Sequence, residues 1–135
     1  MATPGVPAEA EELLTTGRKM GHLATSADDR PHAAPVWYYY EDETLEIVTE
    51  GQKLENVREN PRVALSVEAS TDGHGEWWVV CFGRAEVITD EEDVWAGRTR
   101  LFQRYRDRDP TLEADGEPPE ALLRIDVGST SYSGM

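Results

Sequence analysis

The chain contains few of the residues that form disulfides and metal sites. It has one cysteine, Cys81, and three histidines in 135 residues. A single cysteine excludes an intrachain disulfide and disfavours a cysteine-based metal site. The histidines His22, His32 and His74 lack the H-x-x-x-H and H-E-x-x-H spacings of metal sites, although the first two can meet across a hairpin. We therefore predict no structural metal, and the low cysteine content suits a reducing cytoplasm.

Positive charge is also scarce. The 13 lysines and arginines stand against 27 acidic residues, which gives a formal net charge of -14, and the only lysines are Lys19 and Lys53. A surface this negative repels phosphate backbones and anionic lipid headgroups, which disfavours nucleic acids and membrane surfaces as partners. The composition resembles that of halophilic proteins, whose self-repulsion is screened by salt; an ordinary acidic protein is the alternative. An anionic small ligand would need a local positive pocket.

Sequence signals of several protein classes are missing. The N-terminus has no basic start and no apolar stretch of signal-peptide length, and no run approaches the length of a membrane span. The glycine-rich phosphate motifs G-x-x-x-x-G-K-[ST] and G-x-G-x-x-G do not occur, and neither does a G-x-S-x-G elbow. Cys81 lies among apolar residues, as is typical of a packing residue. We expect a soluble, cytoplasmic protein without hydrolase or P-loop chemistry.

The residues that are present indicate one folded domain. A hydrophobic fraction of 39% with four tryptophans in 135 residues is sufficient for one core. Residues 1 to 8 are small and proline-rich and are predicted to form a flexible arm, whereas residues 9 to 135 are predicted to form the domain. A short helix is expected at residues 8 to 18.

The pattern of apolar and polar residues predicts a mainly β fold. Strands are predicted at residues 21 to 26, 32 to 40, 45 to 50, 62 to 69, 77 to 89 and 122 to 128, with a bulge at Gly83. Helices are predicted at residues 53 to 59 and 90 to 108; the second has an Asp90 cap and buries Val94, Leu101 and Tyr105. Residues 110 to 121 are expected to be a loop, and residues 129 to 135 a tail. The short connections favour an antiparallel six-stranded sheet that closes into a small barrel.

The stretch "TEGQKLENVRENP", residues 49 to 61, suggests an anion-binding site. Thr49 offers a hydroxyl at a strand end, and Gly51 allows close approach to the backbone. Gln52 and Lys53 begin a helix, where the first amides are unpaired and carry the positive end of the helix dipole. We call Thr49, Gly51, Gln52 and Lys53 the anion cradle. The alternative is that Lys53 merely pairs with a neighbouring glutamate, Glu50 or Glu55, on a solvated face.

Two features beside the anion cradle are open to two interpretations. Asn56 lies one turn after Gln52 on the same helical face, where it can support the site or remain solvated. In "PVWYYY", Pro35 interrupts hydrogen bonding and the alternate aromatic side chains can line a planar ring. The same aromatic residues, Trp37 included, can equally be part of the core.

In their order and spacing, these segments resemble the flavin-binding split barrels of the pyridoxamine 5'-phosphate oxidase-like superfamily. The matching segments are "GHLATSADDRPHAAPVWYYYEDETLEIVTEGQKLENVRENPRVALSVE" and "VVCFGRAEVITD". The likeness extends from about residue 18 to residue 126. It implies a six-stranded antiparallel split β-barrel with flanking helices, which forms a homodimer with a flavin-type cofactor at the subunit interface.

The resemblance also implies roles for individual residues. Thr49 and Lys53 would hold the cofactor phosphate, and Gln52 stands where relatives often have an arginine. The cofactor ring would lie against Pro35, Val36, Trp37 and Val48. Trp78 would approach it from the other subunit.

The departures from the family pattern bear on the reaction. Vitamin B6 oxidases carry basic residues where this chain has Ala34 and Tyr39, and they have a longer C-terminal segment, so this activity is not expected. The shorter relatives use FMN or the deazaflavin F420, and the chemistry would be hydride transfer to a small substrate. No residue stands out as an acid or base, although His32 is a possible proton donor. A non-catalytic carrier or sensor of flavin, F420 or haem on the same fold is the alternative.

Overall fold

The computed structural model describes residues 2 to 134. Within them, four helices are α1 (Ala8–Thr15), α2 (Gln52–Glu59), α3 (Glu91–Arg106) and α4 (Leu112–Asp115). The strands are β1 (Thr3–Pro4), β2 (Gly21–Ala27), β3 (Arg30–Val36), β4 (Tyr39–Glu41), β5 (Thr44–Thr49), β6 (Arg62–Thr71), β7 (His74–Ile88) and β8 (Ala121–Gly134). None of these helices combines the length and the hydropathy that crossing a membrane requires.

The strands form one antiparallel sheet in the order β3-β2-β6-β7-β8-β5-β4, and β1 pairs with β8. At its centre is the 15-residue strand β7, which pairs with both β6 and β8. The register with β8 shifts between Phe82 and Gly83. A Cβ atom at Gly83 would lie 2.3 Å from the carbonyl oxygen of Asp126, so only glycine allows the two strands to approach this closely. The predicted bulge at Gly83 is confirmed.

The sheet curls into a barrel. Its two edge strands, β3 and β4, are consecutive in the chain and are separated only by Trp37 and Tyr38. The inner faces of the strands contribute to one hydrophobic core, with side chains as far apart in the sheet as Leu23, Leu65 and Leu123. Burial of this shared core is the main force that bends the sheet.

Helix α1 covers one end of the barrel. Leu14 is fully buried, and its carbonyl oxygen accepts a 2.6 Å hydrogen bond from the Tyr38 hydroxyl. Burial raises the pKa of Tyr38 well above its usual range, so the hydroxyl remains a donor. The Tyr40 hydroxyl donates to the Glu11 carboxylate at 2.8 Å. These tyrosines fix the helix to the strands below it.

Helix α3 packs on the outside of β5 and β8. The Asp90 carboxylate accepts from the Asp93 amide at 3.1 Å, which confirms the predicted cap. The predicted apolar stripe of Val94, Leu101 and Tyr105 is buried. Beneath the helix, the Glu46 carboxylate pairs with Arg100 at 2.6 Å and with Arg124 at 3.2 Å.

Several predicted boundaries differ from the structure. The first helix ends at Thr15 and not at residue 18. The strand predicted at residues 32 to 40 is interrupted at Trp37 and Tyr38, since both side chains are used in packing. The predicted loop contains α4, and the predicted tail is the second half of β8, paired with β7 as far as Gly134. Residues 3 and 4 of the predicted flexible arm pair with Thr130 and Ser129.

Candidate functional site

The barrel is open along one line. Strand β3 pairs only with β2, while β4 pairs with β5 only over residues 44 to 46. In the described part of the chain, the edge of β5 at residues 47 to 49 that faces away from β8 therefore has no strand partner. We call this gap between β3 and the end of β5 the split. No described strand pairs with the backbone N–H and C=O groups along this edge of β5. A ligand that covers the edge can pair with them, since buried backbone groups need hydrogen-bond partners.

Four of the predicted site residues lie where the strands reach the split. Pro35 and Val36 end β3, and Val48 and Thr49 end β5. Val36 and Thr49 are buried, Val48 is half-buried and Pro35 is exposed. Among the described residues, the Thr49 hydroxyl makes one side-chain contact, 3.4 Å long, with the carbonyl oxygen of Glu50, so its donor capacity is used weakly.

Helix α2 begins directly after the split without a side-chain cap. Its N-cap residue is Gly51, with φ of 74° and no heavy atom within 4 Å of where a Cβ would be. A glycine here leaves the first amides of the helix uncovered, whereas α3 has its Asp90 cap. The start of α2 is thus open to an anion.

Lys53 lies in this first turn and is half-buried. Among residues 2 to 134, no ion pair or side-chain hydrogen bond includes it, so the alternative pairing with Glu50 or Glu55 is not observed. A half-buried cation without a counterion next to uncapped amides gives the local positive charge that an anionic ligand requires.

Gln52 and Asn56 belong to a chain of hydrogen bonds that ends on β2. The Gln52 amide donates to the Asn56 oxygen at 2.7 Å, and the Asn56 amide donates to the Thr25 hydroxyl at 3.0 Å. Asn56 is only 5% exposed and Thr25 is 3% exposed. Asn56 is therefore not solvated. It supports the site, because it holds Gln52 in place and anchors α2 to the barrel.

A cleft of about 340 Å³ lies between α2 and the turn from β2 to β3. Gln52, Asn56, His32 and Arg30 line it, together with the acidic residues Asp28, Glu55 and Glu59. The Nδ1 atom of His32 is buried and has no hydrogen-bond partner among the described residues. Thr25 and Arg30 carry no sequence signal for this place, because they reach it only when β2 and its turn fold against a helix that follows much later in the chain.

The Trp37 side chain packs against α3 and does not line the split. The Trp37 ring stacks on Tyr105 of α3 with centroids 4.8 Å apart, meets Phe102 edge-on at 5.5 Å, and has the Arg106 guanidinium 4.8 Å away. Its side chain is therefore held by α3, and the side chain of Val36 faces the core. These two residues can present only their backbone to a ligand in the split.

Trp78 is not part of the split of its own chain. It lies on β7, and two strands, β6 and β2, separate β7 from β3, which is roughly 14 Å at about 4.8 Å per strand. On the β5 side, Trp78 pairs with Ser133 of β8, whereas Thr49 pairs with Ala121 at the opposite end of that strand. The side chain is 39% exposed on the outer face of the sheet.

The structure gives no sign of cysteine chemistry or of a metal site in the described residues. Cys81 is 2% exposed, and burial raises the pKa of its thiol to about 11, so it is an unreactive packing residue as predicted. Within residues 2 to 134, no group of three histidine, cysteine, aspartate or glutamate residues is arranged to hold a metal ion.

Comparison with known proteins agrees with this architecture. General stress protein 26 of Bacillus subtilis (strain 168) is 25% identical over 115 residues, which are 82% of this chain and 81% of that protein. The structure of an F420 reductase has a TM-score of 0.69 at 30% identity and covers 96% of this chain and 100% of its own. The structure of an FAD-binding protein from Mesorhizobium loti has a TM-score of 0.69 at 27% identity and covers 98% and 96%.

The fold predicted from the sequence, an antiparallel split barrel with flanking helices, is confirmed by these neighbours and by the strand order. Its six long strands are accompanied by the short strands β1 and β4. The model of one protein family, Pyridoxamine 5'-phosphate oxidase, matches residues 7 to 133. The chain therefore belongs to the pyridoxamine 5'-phosphate oxidase family.

Proposed function

We propose that this protein is a homodimeric oxidoreductase that binds FMN, or alternatively F420, and transfers hydride to or from a small substrate. The observation that carries the proposal is Lys53, a half-buried cation that forms no ion pair with another described residue and lies at the uncapped start of α2, directly after the split. The FAD-binding protein and the F420 reductase among the structural neighbours support a flavin-type ligand. Residues 9 to 135 would act as one domain.

The residues of the split and the anion cradle fit such a cofactor. Lys53, the Thr49 hydroxyl and the first amides of α2 would hold the phosphate. Gln52, which stands in place of an arginine, is neutral, and its hydrogen bond to Asn56 keeps its amide in position. The planar ring would lie against Pro35, the backbone of the next two residues, and Val48, where the unpaired strand edges offer donors and acceptors.

A bound flavin supplies hydride transfer at its N5 atom, or at C5 in a deazaflavin. The chain contributes position and exclusion of water, because the four residues at the ends of β3 and β5 carry no acid or base. His32 lines the adjacent cleft together with the carboxylates of Asp28, Glu55 and Glu59, and its Nδ1 atom has no hydrogen-bond partner among the described residues.

The outer face of the sheet is suited to contact with a second copy of the chain, as the proposed homodimer requires. Pairing aligns Phe82, Ala64, Ala24 and Ala33 in one row across four strands, and Phe82 is 42% exposed. A row of small residues beside exposed aromatic side chains suits a flat apolar interface. In such a dimer, the partner's Trp78 would cover the split.

Charge favours FMN over F420. The cleft beside the anion cradle carries three acidic residues, Asp28, Glu55 and Glu59, against one arginine, Arg30. One lysine can neutralise much of a single phosphate, but the long anionic tail of F420 would be repelled by this surface. A non-catalytic carrier or sensor of flavin, F420 or haem remains the second candidate, since the split itself contains no acid or base.

The experiment is an absorbance spectrum of the purified protein, followed by titration of the cofactor-free form with FMN and with F420 in high salt. Tight FMN binding would support a flavoprotein, and preference for F420 would contradict the charge argument. The FMN complex is then tested with NADH, NADPH and dithionite under anaerobic conditions. Reduction by a nicotinamide and reoxidation by an added acceptor support the oxidoreductase, whereas reduction by dithionite alone supports the carrier.

A further inference from the structure

A second cleft lies away from the split, between the first turns of α3 and the segment that leads from α4 to β8. Its volume is about 670 Å³, within the range of small-molecule sites. Apolar side chains form much of its lining: Val94, Trp95, Ala96, Leu112, Pro118 and Pro119. We call it the α3 cleft.

The apolar lining is only partly used by the fold. Val94 is buried against the barrel, but Trp95 is half-exposed, and Leu112 is 56% exposed. Leucine exposed to this extent beside a tryptophan leaves apolar surface in water. An apolar ligand would cover it.

The far wall of the α3 cleft is held firmly. Arg98 is 5% exposed and donates to the carbonyl oxygens of Asp115 at 2.9 Å and Gly116 at 3.0 Å. Arg108 donates to both oxygens of the Asp115 carboxylate at 2.7 and 2.8 Å, and this pairing holds the pKa of Asp115 well below its usual range. The segment that leads into this wall is therefore tied to α3 through Arg98.

The charged residues that line the α3 cleft are all acidic. They are Glu91, Glu92, Glu117 and Glu120, and none of them makes an ion pair or a side-chain hydrogen bond within residues 2 to 134. The helix itself explains the presence of Glu91 and Glu92, because acidic residues in the first turn of α3 complement the helix dipole. Glu117 and Glu120 lie on the opposite wall, where no helix begins.

The arginine beside Trp95 does not neutralise this rim. The Arg98 guanidinium lies 5.6 Å from the centroid of the Trp95 ring, but it is not part of the lining and its donors are directed to two backbone carbonyls. The α3 cleft thus combines an apolar floor with a negative rim.

We propose that the α3 cleft binds a small organic cation with an apolar body, a ligand of opposite charge to the phosphate expected in the anion cradle. The apolar body covers Leu112 and Trp95, and the cationic centre lies among the four glutamates. This site does not depend on the cofactor, so it stands or falls independently of the proposed function.

The test uses two ions of nearly the same shape and opposite charge, tetraphenylphosphonium and tetraphenylborate. Binding of each to the full chain is measured by isothermal titration calorimetry at low and at high salt. We expect tetraphenylphosphonium to bind at one saturable site per chain, more weakly in high salt, and tetraphenylborate not to bind. Equal binding of both ions would overturn the proposal, because the acidic rim would then play no part in binding.

Two double variants separate the local rim from the overall charge of the protein. Glu117→Gln with Glu120→Gln should weaken tetraphenylphosphonium binding about fivefold, since each exposed charge contributes modestly. Glu12→Gln with Glu76→Gln removes the same charge at exposed positions outside the cleft and should leave the affinity unchanged. Equal effects of the two pairs would contradict a local site. Leu112→Ser tests the floor and should also weaken binding, whereas an unchanged affinity would overturn the assigned location.

Discussion

Replacing Lys53 by alanine tests the anion cradle quantitatively. Lys53 is the only charged donor in the cradle, because Gln52 stands in place of an arginine and Thr49 is neutral. A hydrogen bond to a charged group contributes about 1.5 to 3 kcal/mol, which corresponds to a loss of FMN affinity of roughly 10- to 150-fold. The loss should shrink as salt rises, since the interaction is electrostatic.

The control variant is Lys19→Ala. Lys19 is the only other lysine, is half-buried like Lys53, and makes no side-chain hydrogen bond or ion pair within the described residues. Both variants shift the net charge by the same amount, so a general increase in repulsion of the anionic ligand affects both equally. Only the loss at Lys53 is specific to the cradle.

The assay is equilibrium titration followed by quenching of flavin fluorescence, with FMN and with riboflavin, which has no phosphate. Lys53→Ala should weaken FMN binding and leave riboflavin binding nearly unchanged. Lys53 does not hold the phosphate if the FMN affinity of Lys53→Ala is within twofold of that of Lys19→Ala, or if riboflavin binding weakens as much as FMN binding.

The remaining predictions concern stability and reactivity. Gly83→Ala should lower the free energy of unfolding by about 1 to 3 kcal/mol, because its Cβ would lie 2.3 Å from a backbone carbonyl oxygen. Gly128→Ala should leave the free energy of unfolding unchanged, because the nearest atom to its Cβ would be 3.7 Å away. Urea denaturation measures both variants, and equal values would contradict the close packing at Gly83. Glu46→Gln should lower the free energy of unfolding by about 1 to 3 kcal/mol, because two arginines share its carboxylate. Glu41 is exposed, so Glu41→Gln should have little effect on stability. Thermal melts of both variants measure the difference. Burial raises the pKa of the Cys81 thiol from 9.0 to about 11, so its contribution to stability is complete below pH 9 and declines as the pH rises to 11. At pH 8, iodoacetamide should modify Cys81 only in urea-unfolded protein, and rapid modification of the folded protein would show that the thiol is exposed.

Local patterns were sufficient to predict most of the strands and the main helix. Helix α3 was predictable because its Asp90 cap, acidic first turn and basic last turn are all local signals. The bulge at Gly83 was predictable from one glycine in a long run of strand-forming residues. The antiparallel barrel followed from the short connections between neighbouring strands.

Tertiary packing determined what the sequence could not show. Trp37 and Tyr38 have strong strand propensity, but they interrupt the strand because their side chains pack on α3 and α1, which no local signal predicts. The second half of β8 is rich in serine, glycine and threonine and reads as a tail; it is a strand because β7 offers it an unpaired edge.

The candidate site was predicted in the same uneven way. Lys53 and Gly51 were recognisable because the start of a helix after a strand is a local motif with known electrostatics. The contact of Asn56 with Thr25 joins residues 31 positions apart and was found only in the structure.

A crystal structure of the protein with FMN would test the proposed cofactor site. We predict that the phosphate lies within hydrogen-bond distance of the Lys53 Nζ atom and the first amides of α2, and that the ring lies in the split between β3 and β5. A phosphate bound elsewhere, with Lys53 paired to Glu50 or Glu55, would contradict the anion cradle.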